Sequence, residues 1–220
     1  MDWPALWLSL RLGLLTVLVL LPIGVFAGRW LAYREFRGKA VVEAAVALPL
    51  VLPPTVLGYY LLVAFGAASP LGRTWTALFG HQLVFTFEGL LLASVIFNIP
   101  FAIQPMQRSF ESIPADVRHA AACCGMTPLE ALGRVELPLA WPGILTALVL
   151  SFAHTLGEFG IVLMVGGSIP GETKTIAIAI YDRVQAFDDA AAARMSAILL
   201  AISVVAISIT FALSRRIGRR

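Results

Sequence analysis

The sequence predicts an all-α integral membrane protein, built as a bundle of about five transmembrane helices. Its 220 residues have a mean hydropathy of +0.87, and only 13% of them are charged, whereas about a quarter are charged in soluble proteins. A chain of this composition cannot hide its apolar surface in water. Five segments contain the roughly 20 apolar residues that cross a bilayer, and they cover residues 5–32, 41–66, 84–106, 139–165 and 192–214.

The second of these segments contains three prolines, Pro49, Pro53 and Pro54. Proline removes a backbone donor and clashes with the preceding turn, so this span is predicted to be kinked or broken. A broken helix is stable inside a membrane only where neighbouring protein or water satisfies the freed carbonyl groups. The prolines therefore favour a packed bundle, and the whole chain, residues 1–220, is predicted to be one transmembrane domain.

The basic residues predict the orientation, because loops rich in Lys and Arg remain on the cytoplasmic side of a membrane. If the N-terminus lies outside, eleven of the 16 Lys and Arg residues fall on the side of the C-terminus and five on the other side. The loop 107–138 and the C-terminal sequence RRIGRR are therefore predicted to be cytoplasmic, with the N-terminus outside.

The sequence lacks the residue patterns that catalysis and metal binding require. The Gly38-Lys39 pair has Tyr33 where a phosphate-binding loop needs its first glycine. No HExxH or CxxC pair occurs, no nucleophile is paired with a base, and the histidines lie in different segments: His81, His119 and His154. We therefore predict no enzyme activity, no metal and no cofactor, so that uphill transport would need energy from a partner or an ion gradient.

Charge and cysteine content argue against a nucleic-acid-binding protein and against a secreted domain held by disulfides. The net charge of +3 is spread along the chain, unlike the basic face that binds nucleic acid. The two cysteines, Cys123 and Cys124, are adjacent and cannot form an ordinary disulfide. They are predicted to be small apolar packing residues within a helix.

A polar segment, residues 113–138, separates the third and fourth apolar segments. Helix formers continue to Gly125, and glycine suits the left-handed backbone that ends a helix. Thr127 then fits an N-cap, with Glu130 as its capping-box partner. The pattern predicts helix, glycine turn, helix on the cytoplasmic surface, which is also the pattern of a plain amphipathic connector. Two prolines are predicted to end the second helix before the fourth span: Pro138 and Pro142.

These hairpin residues resemble the EAA motif of ABC importer permeases, in which EAA is followed by three residues, Gly, nine residues and I-x-L-P. The matching positions are Ala120, Ala121, Gly125, Val135, Leu137 and Pro138. The chain departs from the motif at His119, which replaces Glu, and at Val135, which replaces Ile. The first departure removes a carboxylate that the family's pattern supplies.

The resemblance implies the core of a type I ABC importer permease, in which residues 113–138 are a coupling hairpin that docks on an ATP-binding subunit. Small alanines let such a helix lie close to its partner, and the glycine sets the angle between the two helices. The implied partners are a second copy of the chain, a dimer of ATP-binding cassette subunits, a periplasmic or surface substrate-binding protein, and the lipid bilayer of a bacterial or archaeal cytoplasmic (inner) membrane. ATP hydrolysis is then expected on the separate subunit.

Three further segments resemble the molybdate permease branch of that family. They are FAHTLGEFG at 152–160, IPGETKTI at 169–176 and LPLVLPP at 48–54. Sulfate and tungstate permeases share versions of these features. The resemblance therefore implies an oxyanion cargo, with molybdate as the first choice and tungstate or sulfate as alternatives.

Polar groups within the spans are candidates to line the path of a tetrahedral oxyanion, which favours hydroxyls and amide N–H groups. They are Thr55, Ser94, Asn98, Ser151 and Thr155. Each is also of a type that joins helices in membrane bundles, so a structural role is the alternative.

Glu158 lies near the end of the fourth span, where a carboxylate is costly to bury and indicates function. Because a carboxylate repels an oxyanion, we do not expect it to contact the cargo. We predict that hydroxyls, backbone amides or a basic residue bind Glu158. In this role it positions the outer gate, or a helix break, beside Gly157 and Gly160.

The outer loop after the fourth span contains the charged sequence GETKT. Its charged residues Glu172 and Lys174, with Arg183 further along, are candidates to dock a substrate-binding protein. A solvated loop without a partner is the alternative.

Two other classes of membrane protein are possible. An ion-coupled secondary transporter needs inverted repeats and intramembrane carboxylates, whereas this chain shows no repeat and essentially one such carboxylate, Glu158. A membrane-embedded enzyme needs a catalytic arrangement that the sequence lacks. The favoured prediction is therefore a permease subunit that works by alternating access.

Overall fold

The computed structural model describes residues 1–217, with side chains described through residue 208 and at 212. Within this range the chain forms α-helices, one π-helical turn at Leu132–Glu136, and no strand. The helices are α1 (Trp3–Tyr33), α2 (Lys39–Val51), α3 (Pro54–Phe65), α4 (Pro70–Phe79), α5 (Phe87–Glu111), α6 (Ala115–Cys123), α7 (Pro128–Ala131), α8 (Leu137–Gly157), α9 (Gly160–Gly166), α10 (Ile176–Gln185) and α11 (Asp189–Ile217). The arginines of the C-terminal RRIGRR lie outside the described side chains.

The all-α fold with about five spans is confirmed. Among the described residues, four helical runs are long and apolar enough to cross a membrane: Trp3–Tyr33, Phe87–Glu111, Pro128–Gly157 and Asp189–Ser208. The pair α2 and α3 passes the same test together, although the two helices are bent by 108°. Counting that pair as one span gives five.

The bend between α2 and α3 confirms the predicted break in the second span. Pro53 is the N-cap of α3 and Pro54 is its first residue. A proline ring fixes φ near the helical value and has no N–H, so it suits the first turn of a helix but cannot continue a preceding one. The chain therefore starts a new helix here instead of extending α2.

The fourth span differs from its prediction, because Pro138 and Pro142 do not end the helix that begins at Pro128. Residues Leu132–Glu136 adopt the wider π-helical geometry, and the N–H of Leu137 bonds to the carbonyl of Leu132. This turn carries the chain past Pro138, whose missing N–H would interrupt an ordinary α-helical ladder. The coupling hairpin and the span therefore share one helical run, Pro128–Gly157.

The centre of the bundle is formed by α1, α5 and α8, which pack along one another. Glycine allows the close approach of α1 and α5: a Cβ built on Gly28 would lie 3.0 Å from the backbone nitrogen of Gln107. Small residues at such crossings bring membrane helices into direct contact. At the end of the bundle next to the hairpin, which the predicted orientation places inside and which is called the inner end below, this core contains Met106, Phe110 and Ile144, which are almost fully buried.

A second, outer core joins α3 and α9 to α5. It contains Leu61, Phe65, Phe97 and Ile161. The segments expected as outer loops are partly helical, since α4 and α10 lie in them. The outer end of the bundle therefore contains the short helices α4, α9 and α10 beside the long central helices.

Candidate coupling and translocation sites

The coupling hairpin has the local structure that its sequence predicts. Gly125 follows α6 with a φ of +77°, a conformation that L side chains rarely adopt. Thr127 is the N-cap of α7, and its hydroxyl accepts a hydrogen bond from the N–H of Glu130 at 3.3 Å. The Glu130 carboxylate accepts one from the N–H of Thr127 at 2.8 Å, which completes the capping box.

The motif residues of α6 divide between a buried and an exposed face. Ala121 is buried, whereas His119, Ala120 and Gly125 are exposed. Further along, Val135 and Leu137 are half-buried, and Pro138 is exposed. The exposed face of α6, which includes the small side chain of Ala120, is compatible with a docking surface.

The prediction that Cys123 and Cys124 pack inside a helix is wrong. Cys123 is the last residue of α6, Cys124 is its C-cap, and both side chains are exposed. The helix ends here because Gly125 turns the chain, so the two thiols lie at the open end of α6. They belong to the outward surface of the hairpin.

An ion pair that the sequence analysis missed connects the π-helical turn to α1. The guanidinium of Arg29 donates two hydrogen bonds to the carboxylate of Glu136, through Nε to Oε2 and through Nη2 to Oε1 at 3.0 Å. Glu136 is only 3% exposed. A sequence signal existed, because Glu136 lies inside the I-x-L-P part of the motif, but the pair joins residues 107 positions apart.

Next to this pair, α6 contacts α1 through an aromatic ring. The guanidinium carbon of Arg118 lies 4.1 Å from the centroid of the Tyr33 ring, and that of Arg29 lies 5.6 Å from it. Tyr33 also meets the buried ring of Phe110 edge to face, with centroids 6.2 Å apart. A cation over an aromatic face is attracted by the negative potential of the ring, and more strongly where water is excluded.

Four of the five polar candidates for the path lie together in the middle of the bundle. Asn98 donates to the hydroxyl of Thr155 at 3.0 Å and to the carbonyl of Ser94 at 2.8 Å. Thr155 donates to the carbonyl of Ser151 at 2.8 Å. Thr16 of α1, which was not predicted, donates to Ser94 at 2.9 Å. All of these residues are buried between α1, α5 and α8.

This polar layer has two buried atoms that find no hydrogen-bond partner among the described residues, the Ser151 hydroxyl and Asn98 Oδ1. The neighbouring His154 stacks between two rings of α5, with centroids 4.4 Å from Phe97 and 4.1 Å from Phe101. The layer joins three helices, which fits the structural alternative for these residues. Their role in the path stays a prediction.

Glu158 has the kind of partner that was predicted. Helix α8 ends at Gly157, α9 begins at Gly160, and Glu158 lies in the break between them. Its Oε1 accepts a hydrogen bond from the backbone N–H of Ile161 at 2.9 Å. The carboxylate therefore satisfies one of the free N–H groups at the start of α9.

The break between α2 and α3 lies beside the break between α8 and α9. A Cβ built on Gly160 would lie 3.1 Å from the Pro54 side chain and 3.5 Å from the backbone nitrogen of Thr55. Thr55 itself is exposed on the first turn of α3. The candidates Thr55, Gly157, Glu158 and Gly160 therefore lie at or beside these two breaks, at the end of α8 that follows Thr155 of the polar layer.

In the outer loop, the two basic docking candidates are paired with acidic residues. Lys174 contacts Asp182 at 2.5 Å, and Arg183 contacts Asp188 at 3.5 Å. Glu172 is exposed and lines a cleft of 320 Å³ with Arg11 and other residues. Lys174 and Arg183 are thus held by ion pairs, and Glu172 lies near the outer end of α1.

Residues 21–219 match the family model described as "Binding-protein-dependent transport system inner membrane component". The chain belongs to this family of transport permeases. The predicted family is therefore confirmed, and the protein is a multi-pass inner membrane protein.

Curated relatives of this permease include molybdenum transport system permease proteins. One from Azotobacter vinelandii is 47% identical over 191 residues, covering 87% of this chain and 84% of the relative. One from Escherichia coli K12 is 36% identical over 216 residues, covering 97% of this chain and 94% of the relative. A sulfate transport system permease protein of E. coli K12 is 31% identical over 192 residues, covering 87% of this chain and 69% of the relative.

Solved structures confirm the fold of the permease. A bacterial ABC transporter involved in the import of alginate matches with a TM-score of 0.78 at 17% identity, covering 97% of this chain and 78% of that one. The MetNI methionine ABC transporter, in inward-facing conformations, matches with a TM-score of 0.71 at 16% identity, covering 98% of this chain and 94% of that one. The arrangement of α1 to α11 is thus that of an ABC importer permease.

Proposed function

We propose that this permease provides the transmembrane path of an ATP-driven oxyanion importer, and that the oxyanion is molybdate. The carrying observation is the 47% identity to a molybdenum transport permease over most of both chains. The Ser151 hydroxyl is buried in the bundle and has no hydrogen-bond partner among the described residues, so it is available to donate to an oxyanion in the path. Tungstate and sulfate are the alternative cargoes. Sulfate is favoured less than molybdate, because the sulfate permease of E. coli is less similar to this chain than the molybdenum permeases are.

The exposed coupling hairpin supports an ATP-binding subunit as partner. His119, Ala120 and Gly125 face outward on a compact, capped pair of helices. Exposed apolar side chains on α2 and on the described part of α11 are available to contact lipid and a second copy of the chain. ATP hydrolysis then takes place on the partner subunits, and α6 and α7 lie in the cytoplasm, with the N-terminus outside.

The outer surface is assigned to a substrate-binding protein. Glu172, Lys174 and Arg183 lie near the outer end of α1, and the two basic residues are held by ion pairs. A partner that delivers the cargo removes the need for a tight binding site inside the bundle, where strong binding would slow release. The break at Glu158 and the neighbouring Thr55 are the proposed outer gate.

Reconstitution tests the proposal. The permease is placed in proteoliposomes with its ATP-binding subunit and its binding protein, and ATP hydrolysis and uptake are measured with molybdate, tungstate and sulfate in turn. We expect molybdate to stimulate both most strongly. Stimulation by sulfate alone contradicts the proposed cargo.

A pull-down separates this proposal from an ion-coupled transporter. An ABC permease purified from its native membrane brings an ATPase subunit with it, whereas a secondary transporter does not. Uptake that follows an imposed proton or sodium gradient in the absence of ATP contradicts the proposal.

A further inference from the structure

The coupling hairpin reaches the transmembrane bundle by two routes. One is covalent, because α7 continues through the π-helical turn into α8. The other is through side chains that contact α1, which is distant in sequence. The second route consists of Arg29 and Tyr33 on α1, Arg118 on α6 and Glu136 in the π-helical turn.

The Arg29–Glu136 pair is suited to transmit force. Its two parallel hydrogen bonds fix the orientation of the guanidinium relative to the carboxylate, which a single bond would not do. Glu136 is almost fully buried, and the Arg29 side chain is 28% exposed, so little water competes for the pair. The π-helical turn that carries Glu136 cannot move far without moving α1.

The Tyr33 ring extends this contact to the first helix of the hairpin. Arg118 lies over the ring at 4.1 Å and is the residue before His119, the first position of the motif. Val117, the preceding residue of α6, packs against the same inner core as Tyr33. Both helices of the hairpin are therefore joined to the same end of α1.

From this end, α1 runs through the whole bundle to the outer loop. At its other end the hydroxyl of Ser9 accepts a hydrogen bond from the N–H of Ile176 at 2.8 Å, at the start of α10. Asp2 and Ala5 line a cleft with Pro170 and Lys174. A displacement of α1 thus reaches the surface assigned to the binding protein.

We propose that Arg29, Tyr33, Arg118 and Glu136 form a relay that transmits movement of the coupling hairpin to α1, in parallel with the covalent route into α8. The four are positioning residues, since none of them contacts cargo or nucleotide. This inference rests on the proposed function, because the hairpin moves only if an ATP-binding subunit drives it. The relay therefore predicts that α1 and α8 both move when the ATPase closes.

The test uses the double variant Arg29→Met with Glu136→Gln. Removing one partner leaves a buried charge unpaired and destabilises the protein, whereas removing both relieves that penalty. A purely structural pair therefore predicts that the double variant recovers both thermal stability and coupling. A relay predicts that stability recovers while oxyanion uptake per ATP hydrolysed stays about three- to tenfold below the wild-type ratio.

The measurements are molybdate uptake, ATP hydrolysis and the unfolding temperature of the reconstituted complex, for the wild type, both single variants and the double variant. Glu35→Gln is the matched control, because it removes the carboxylate of a pair within one exposed stretch, with Lys39 at 2.8 Å, on the same side of the bundle. Its uptake per ATP should equal that of the wild type.

The outcomes are distinct. A stable double variant with lowered oxyanion uptake per ATP hydrolysed supports the relay. A double variant with the wild-type uptake per ATP overturns the relay and leaves the proposed function intact. A wild-type complex that hydrolyses ATP without taking up any of the three oxyanions overturns both. If the double variant does not assemble, Arg118→Met tests the same relay from its α6 end, and an unchanged uptake per ATP hydrolysed there overturns it.

Discussion

The fourth span has an inner end and an outer end that are built in different ways. At the inner end one helical run, Pro128–Gly157, carries the chain from the coupling hairpin into the membrane. At the outer end the chain breaks at Glu158 and resumes in the short helix α9. The 30-residue run is about 45 Å long at 1.5 Å per residue, so it spans most of the bundle as one rod.

From this difference we expect the continuous inner end to be stiffer than the broken outer end. The inner end is held by an ion pair to α1 and by a buried core around Phe110. The outer end has a break in the backbone, where Glu158 accepts a hydrogen bond from Ile161 and Gly160 contacts Pro54, and α9 beyond the break packs in the outer core. We expect a push on the hairpin to produce movement at this break, because the helix is continuous only on the hairpin side.

Breaking the inner continuity should have the largest effect. Val135→Pro removes a helical N–H and introduces a ring clash within the π-helical turn, and it should lower the free energy of unfolding by about 3 kcal/mol. We also expect ATP hydrolysis to lose its response to the loaded binding protein. The checks are thermal unfolding of the purified permease and hydrolysis by the reconstituted complex.

Val135→Ala is the control for this change, since it shortens the same side chain without altering the backbone. It should retain most of the response. A Val135→Pro variant with wild-type stability and coupling contradicts the view of the inner end as a rigid rod.

The glycine turn of the hairpin should show the next largest effect. Gly125→Ala places a Cβ on a residue with a φ of +77°, which costs about 1–2 kcal/mol for an L residue. Gly133→Ala is the matched control, because Gly133 lies in the same hairpin without a positive φ, and a Cβ there meets no atom within 4 Å. Thermal unfolding should separate the two variants, and equal unfolding temperatures would refute the need for a left-handed residue at 125.

Substitutions at the outer break should reduce transport more than they reduce stability. Glu158→Ala removes the cap of α9 and should cost about 1 kcal/mol of stability, as for other N-terminal caps. Glu158→Gln retains an acceptor oxygen and should cost less, yet both should reduce molybdate uptake because the break is less well positioned.

Glu35→Gln is again the control for Glu158, since Glu35 is an exposed carboxylate between α1 and α2. Its uptake should match the wild type. Normal uptake and normal stability of Glu158→Gln would show that Glu158 does not position the gate.

The smallest effect on stability is expected in the outer loop. Lys174→Met breaks a surface pair with Asp182, and such pairs contribute about 0–1 kcal/mol. If Lys174 docks the binding protein, the variant should need more binding protein for half-maximal stimulation of hydrolysis. Lys39→Met on the inner side is the control, and an equal requirement in both variants contradicts docking at Lys174.

Much of the local structure could be predicted because its causes lie within a few residues. The adjacent Pro53 and Pro54 remove two successive backbone donors and favour a new helix start, and Thr127 with Glu130 forms a capping box from neighbouring backbone groups. The partner of Glu158 was also predicted, because a carboxylate at a helix break lies within reach of the next free N–H groups. These predictions required no knowledge of the packing.

The misplaced end of the hairpin has a different cause. Pro138 and Pro142 were expected to stop the helix, but the π-helical turn at Leu132–Glu136 accommodates the first of them. Such a turn is rare in proteins, and the contacts of Glu136 with Arg29 and of Leu132 with the inner core hold it. Neither contact could be read from the hairpin sequence alone.

The sequence by itself determined the membrane location, the number of spans, the break at Pro53, the glycine turn at Gly125 and the family of the chain. These follow from composition, from backbone chemistry between near neighbours and from short motifs. Only the tertiary structure decided that Arg29 binds Glu136 and that Asn98 joins Thr155 across two helices. Those pairs depend on the distance at which whole helices pack, and that distance is set by many weak apolar contacts acting together.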